Sequence, residues 1–319
     1  MDKYNWFQRN LHALALSKKF IKEASFDIEK LLFMENHYPD NHIFITGLAR
    51  SGTTSILNAI YQTGDYGSLT YSDMPFILSP NIWSKLYISK KSDTNFFERS
   101  HKDGIKISKL SPEAFEEVFW NTFDDRGKDE FRHYVNLILK RCKKTKYLSK
   151  NNQNIKRIDT IRNLDPNSKI LIPFREPIQQ ANSLLKQHKK FMNIHKSNKF
   201  VSKYMSYIGH SEFGPNYKML SSKNLKYVDD LYINHWLEQW YIVYCDLLNR
   251  FSNTKNIYFV CYEMLTKPDL NFEKLGNSIN IKKMYQFNFI NSNINIDYSY
   301  DKNLYERCKN IYEKLKNTI

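Results

Sequence analysis

The stretch His42-Ile43-Phe44-Ile45-Thr46-Gly47-Leu48-Ala49-Arg50-Ser51-Gly52-Thr53-Thr54 decides the fold. Three consecutive bulky apolar residues predict a short strand buried on both faces. Gly47 to Gly52 is a loop, and Thr53 to Tyr61 continues as a helix that starts at the loop and stops before Gly64. Strand, glycine loop and helix form the opening unit of a phosphate-binding α/β fold. Backbone N–H groups of such a loop converge on an anion, and the helix adds its positive N-terminal end.

Against the pattern G-x-x-x-x-G-K-[ST], Gly47 and Gly52 hold the glycine positions and Thr54 the hydroxyl position, but Thr53 stands where the lysine belongs. That lysine serves β- and γ-phosphates, so its replacement argues against a kinase or ATPase. Arg50 instead supplies a planar cationic fork inside the loop.

Outward from the loop, two further buried strands are predicted at 169–174 and 256–261, with a shorter one at 146–149. Helices are expected over 4–35, from Pro112, over about 129–144, from Pro177 to about His188, over 231–251, and near 271–279 and 302–318. The first carries Leu11, Leu14, Ala15, Ile21, Ile28, Leu31 and Leu32 as its apolar stripe. Segments 65–110 and 190–230 read as irregular, aromatic-rich insertions over a substrate site. The expectation is one domain over 1–319, of α/β class with a central parallel sheet flanked by helices in three layers. Residues 1–40 are its N-terminal helical segment.

The chain has 319 residues, 41% hydrophobic, with a formal charge of +15. The length supports one large core. The positive charge suits an anionic partner, but Lys, Asn, Ile, Tyr and Phe are all abundant, as biased codon usage also produces. The basic residues are spread along the chain with no arm or tail, which argues against a nucleic-acid partner. Cys142, Cys245, Cys261 and Cys308 lie far apart without C-x-x-C spacing. No disulfide framework or zinc ribbon is expected, and the reading is a soluble cytoplasmic protein without signal peptide, membrane span or metal.

At Arg50-Ser51-Gly52-Thr53-Thr54 after a buried strand, the chain resembles the PAPS-dependent sulfotransferases (PAPS is 3′-phosphoadenosine-5′-phosphosulfate). The resemblance implies that Arg50, Ser51, Gly52, Thr53 and Thr54, with Ser55 by position, contact the 5′-phosphosulfate. It also implies a 3′-phosphate anchor of one Arg at a strand end and one Ser on the next helix. Arg175 and Ser183 have that spacing. Lys150, after the short strand, resembles the family lysine that reaches the bridging oxygen of the donor. Tyr262-Glu263 resembles a structural pair of the family. The C-terminal Arg-Lys-Gly segment of the cytosolic class is not visible, so the chain looks closer to bacterial and carbohydrate-type members.

The general base stays open between Asp73 and His101, with Asp73 ahead. Glycan sulfotransferases carry a carboxylate in this region and small-molecule enzymes a histidine. Glu113, Glu116 and Glu117 are read as favourable charges at a helix start. The aromatic helix with Trp236, Trp240, Tyr241 and Tyr244 is read as core, and its segments suit a homodimer interface as well as a substrate cleft. The expected reaction is sulfuryl transfer from PAPS to a hydroxyl or amine acceptor, a glycan or small alcohol, with release of PAP. The rival readings are an ATP-dependent small-molecule kinase and a non-catalytic polyanion-binding protein.

Overall fold

The computed structural model describes residues 5–35, 39–86, 97–98, 106–221, 224–267, 271–281, 287–290, 294–296 and 298–318. The strands are β1 (Ile43–Ile45), β2 (Tyr66–Gly67), β3 (Phe97–Glu98), β4 (Lys106–Ile107), β5 (Lys146–Lys150), β6 (Lys169–Phe174) and β7 (Ile257–Cys261). Five of them form one parallel sheet in the order β2-β5-β1-β6-β7, while β3 and β4 pair antiparallel apart from it. Helices pack on both faces: α1 (Trp6–Ser17), α2 (Lys19–Phe33), α3 (Thr53–Tyr61), α4 (Pro80–Leu86), α5 (Glu116–Phe123), α6 (Gly127–Cys142), α7 (Ile158–Leu164), α8 (Pro177–Ser197), α9 (Lys199–Tyr207), α10 (Ile233–Phe251), α11 (Tyr262–Leu265), α12 (Asn271–Ser278) and α13 (Lys302–Lys316). This is the expected α/β architecture, with two apolar clusters on opposite faces of the sheet. No described helix is long and apolar enough to cross a membrane.

The sheet explains where the glycine loop leaves. In β6, Lys169 N donates to His42 O and Ile170 N to Asn256 O, both at 2.8 Å, so odd residues donate toward β1 and even residues toward β7. Pro173 is odd. Its missing N–H falls on the β1 side, beyond Ile45, where β1 has already ended. A proline inside a central strand is tolerated there because no ladder bond is lost.

Several local expectations give way to tertiary forces. The helix expected over 4–35 breaks at Lys18, which is extended. Its expected stripe is buried only in part: Ala15 is core, but Leu31 is 84% exposed, whereas Glu29 is fully buried. The Glu29 carboxylate accepts from Asn81 N at 2.6 Å and Ile82 N at 3.0 Å, capping α4 from another part of the chain. Burial pushes its carboxyl above the usual range, and those backbone bonds pull it back. Pro112 does not start a helix, because Thr70 bridges to it and Glu113 N donates to Leu69 O at 3.1 Å. α5 therefore begins at Glu116. α8 runs on to Ser197, and α9 follows at once, so much of 190–230 is regular helix.

Candidate active site

A cleft of about 1370 Å³ opens at the C-terminal ends of β1, β5 and β6. In open parallel sheets this edge is where ligands bind. Along its floor runs the glycine loop. Arg50 and Gly52 both have left-handed backbone, with φ of 66° and 92°. Such residues turn successive N–H groups toward one side, as an anion site requires. Gly52 is needed for a second reason: a Cβ there would lie 2.1 Å from the Tyr262 ring.

Arg50, Gly52, Thr53, Thr54 and Ser55 line the cleft. Ser51 does not; it is fully buried beneath the loop. Thr53 and Thr54 open α3, directly behind Gly52 as N-cap.

Arg175 and Ser183 also line this end of the cleft. Arg50 Nε donates to Ser183 Oγ at 3.0 Å, and Arg175 Nη1 donates to Arg50 O at 3.4 Å. The two groups of residues quoted from sequence thus meet in one place. Arg175 is held by what surrounds it. Its guanidinium lies 5.5 Å from the Tyr262 ring centre, and its Nε is 3.8 Å from Glu263 Oε1. The Glu176 carboxylate, next in sequence, caps α8 through Gln179 N at 2.9 Å and accepts from Tyr305 Oη at 2.8 Å.

Gln180, which the sequence reading passed over, ties these pieces together. Fully buried, its Oε1 accepts from Arg175 N at 3.2 Å and from Trp240 Nε1 at 3.0 Å. Its Nε2 donates to Ala49 O at 3.1 Å. Trp240 belongs to the aromatic helix, whose Trp236, Trp240 and Tyr244 are buried as core. Tyr262 is likewise more than a structural residue, since it forms cleft wall beside Gly52 and Arg175.

Lys150 ends β5 in register with Ile45 and lines the cleft. The turn after it is anchored by carboxylates. Asn151 Nδ2 donates to Glu117 at 2.9 Å, and Arg157 grips the same carboxylate with both terminal nitrogens at 2.7 and 2.9 Å. Glu116 accepts from Ser149, Tyr147, Asn154 and Trp120 at 2.5 to 3.1 Å. These glutamates form a buried scaffold under the β5 turn, which outweighs any role at the helix start. Glu113 lies before α5; its two oxygens accept from Tyr71 Oη at 2.5 Å and Ala114 N at 2.8 Å.

Asp73 is turned into the protein. Tyr71, Ser72 and Met74 line the cleft and Asp73 does not; it is 2% exposed. Its Oδ2 accepts from Thr70 N at 2.8 Å and Thr70 Oγ1 at 2.9 Å, and Arg141 Nε stands 3.3 Å from Oδ1. Burial pushes its carboxyl up, and Arg141 and Thr70 oppose the shift. His101 lies outside the described residues. No group of three or more metal-ligating side chains occurs among the described residues.

The far wall of the cleft comes from Phe191, Tyr204, Met205, His210, Glu212 and Phe213. The sequence reading singled out none of them. The available signal was Gly209, a helix-stopping glycine placed directly before a histidine.

Comparison with known proteins gives the following. In sequence, no curated protein matches the chain significantly. Among solved structures, it is similar to sulfotransferase STF1 from Mycobacterium tuberculosis, with TM-score 0.47, 10% identity, and coverage of 94% of this chain and 82% of that one. It is also similar to sulfotransferase STF9 from Mycobacterium avium, with TM-score 0.44, 12% identity, and coverage of 96% and 75%. A sulfotransferase from Alicyclobacillus acidocaldarius gives TM-score 0.39, 13% identity, and coverage of 88% and 92%. A family model described as "Sulfotransferase family" matches residues 42–210, more than half of the sequence and a span that runs from β1 and its glycine loop to the far wall of the cleft. On that match, the chain belongs to the sulfotransferase family.

Proposed function

We propose that this sulfotransferase takes PAPS as donor, moves its sulfuryl group to a hydroxyl or amine acceptor, and releases PAP. The observation that carries the reading is the meeting of Arg50, Arg175 and Ser183 beside the N-terminus of α3. The Arg175 guanidinium and the Ser183 hydroxyl suit a doubly charged phosphate. Arg50, the glycine loop and the N-terminus of α3 beside them suit a second anion, and Thr53 in place of the lysine disfavours a nucleoside triphosphate. A donor with separate 3′ and 5′ anions fits both.

Bound PAPS would supply the activated sulfuryl group. The N–H groups of 50–54, with the Arg50 fork and the Thr53, Thr54 and Ser55 hydroxyls, would hold its 5′ end. Arg175 and Ser183 would hold the 3′-phosphate. Lys150, at the head of β5, would balance charge developing on the bridging oxygen. The acceptor side of the cleft is aromatic, with Tyr71, Trp83 and Phe115 on one flank. Such walls suit stacking on a sugar ring or on the body of a small alcohol.

Thermal unfolding with PAP, ATP–Mg²⁺ and an oligonucleotide tests the reading. PAP at about 100 times its Kd should stabilise the fold by about 2.7 kcal/mol. A shift with ATP–Mg²⁺ and none with PAP would favour the kinase alternative; a shift with the oligonucleotide alone would favour the polyanion binder.

A further inference from the structure

Beyond the donor end the cleft becomes an apolar trough, a feature that deepens the sulfuryl-transfer reading and rests on it. α8 runs along the cleft as a ruler. Ser183, Gln187 and Phe191 all line it at spacings of four, so one face of the helix carries the three. Eight residues of helix span about 12 Å. That face begins at the Arg50–Ser183 contact and ends at a phenyl ring. The cleft, at about 1370 Å³, exceeds the roughly 300–1,000 Å³ that a single small ligand occupies, so a donor leaves room for an extended acceptor.

The apolar end is built from α9 and α1. Tyr204, Met205 and Ile208 come from α9 and its C-cap, and Phe7 and Leu11 from α1. α1 is laid against α9 by the His12–Tyr204 ring contact at 5.9 Å and by Arg9 over Phe200 at 5.1 Å. Its Ala15 and Leu16 enter the core. Phe7 and Leu11, one turn apart, join neither apolar cluster of the described residues, and Phe7 is 66% exposed. Apolar side chains placed at a cleft wall and outside the core are stabilised when a ligand removes them from water. The Met205 thioether adapts to the shape of such a ligand.

Polar side chains on the same walls are bonded to one another. Asn5 and Gln8 close the capping box of α1: Asn5 N donates to Gln8 Oε1 at 3.0 Å, and Gln8 N to Asn5 Oδ1 at 2.8 Å. His12 Nδ1 donates to Gln8 O at 2.8 Å. Asn152 Nδ2 donates to Glu212 Oε1 at 3.3 Å, Ser211 N to Glu212 Oε2 at 3.1 Å, and Gln153 Nε2 to Ser211 Oγ at 3.1 Å. A sugar ring buried there would have to compete with these bonds for its hydroxyls, whereas a hydrocarbon needs only covered surface.

We infer that the acceptor is an amphiphilic alcohol, whose hydroxyl meets the donor and whose apolar body lies along the Ser183–Phe191 face of α8 against α9 and α1. The hydroxyl oxygen forms the new O–S bond. The S–O bond to the 5′-phosphate breaks with its electron pair left on PAP, and the hydroxyl proton is released to water. Each methylene added to the acceptor is then buried in the trough, so recognition grows with chain length.

The test uses the full chain saturated with PAP, and calorimetry with 1-butanol, 1-hexanol, 1-octanol and methyl glucoside. Affinity should rise about 3- to 4-fold per added methylene, and methyl glucoside should bind more weakly than 1-octanol. Phe7→Ser and Leu11→Ser should each weaken 1-octanol binding about 10-fold. Both should keep the wild-type affinity for PAP, which also reports that they fold. With PAPS in place of PAP, 1-octanol should become octyl sulfate. A flat chain-length series, tighter binding of methyl glucoside, an unchanged series in both variants, or bound 1-octanol that is never sulfated overturns the acceptor class. Failure of the wild-type protein to bind PAP would instead overturn the donor reading.

Discussion

Arg50 Nε donates to Ser183 Oγ at 3.0 Å, joining the glycine loop to the second turn of α8 across 133 residues of sequence. The loop arginine and the helix serine therefore act as one unit. Arg50→Ala should weaken PAP binding about 10- to 100-fold, the range for a charged hydrogen bond. Ser183→Ala should cost less, and the double variant less than the product of the two. Calorimetry on the four proteins of that cycle measures the coupling, and strict additivity would show that the contact is idle.

Gly52→Ala should lose both stability and PAP binding. The left-handed backbone and the Tyr262 ring at 2.1 Å from the new Cβ together predict a cost of about 1–3 kcal/mol. Combined with Tyr262→Ala, the cost should be less than the sum of the two single costs, because the second substitution removes the clash partner though not the backbone strain. Urea unfolding of the three variants separates the two contributions.

Asp73 tests the difference between a motif position and a site. Its bonds to Thr70 and Arg141 make it a cap of the 71–73 turn. Asp73→Ala should cost about 1–2 kcal/mol of stability and leave PAP binding intact. Asp73→Asn keeps an acceptor for Thr70 and should cost less. Loss of turnover in a fully stable Asp73→Asn would return this carboxylate to the chemistry.

Stability should fall as pH drops from 6.5 toward 4, with His42 as one source. Burial pushes its ring down from 6.5 to about 4, and its Nδ1 accepts from Tyr147 N at 3.1 Å, a bond that needs the neutral ring. Above 6.5 both folded and unfolded forms are neutral and nothing is lost. Below it the unfolded chain takes the proton first, and the loss saturates near pH 4 at on the order of 3 kcal/mol. His42→Asn should flatten that part of the profile. Denaturant melts at pH 7 and pH 5 for both proteins check it.

What could be read from sequence was local and apolar. The strand at 169–174 and the helix at 53–61 have the bounds their runs of apolar residues and punctuation imply. The break at Lys18 has no glycine or proline to announce it. The residues Glu29, Glu116 and Gln180 look like solvent-facing side chains in sequence, yet all three are buried as acceptors for distant donors. A buried polar residue is defined by partners that only tertiary structure supplies. For the same reason Arg50, Arg175 and Ser183 could be picked out one by one, while the Arg50–Ser183 bond could not.

The strand order has a consequence for how the protein acquires its site. β1 is flanked by β5 and β6, whose first residues lie about a hundred positions or more downstream of it. A nascent chain that has emerged only through α3 holds the complete glycine loop and none of its neighbours. Such non-local pairing closes late and slowly. Ligand affinity should therefore switch on in one step, when β6 docks and brings Arg175 and Gln180 to the loop, and fragments ending before α8 should have none. Donor binding in turn should slow global unfolding, because the first strand to leave takes the pocket with it.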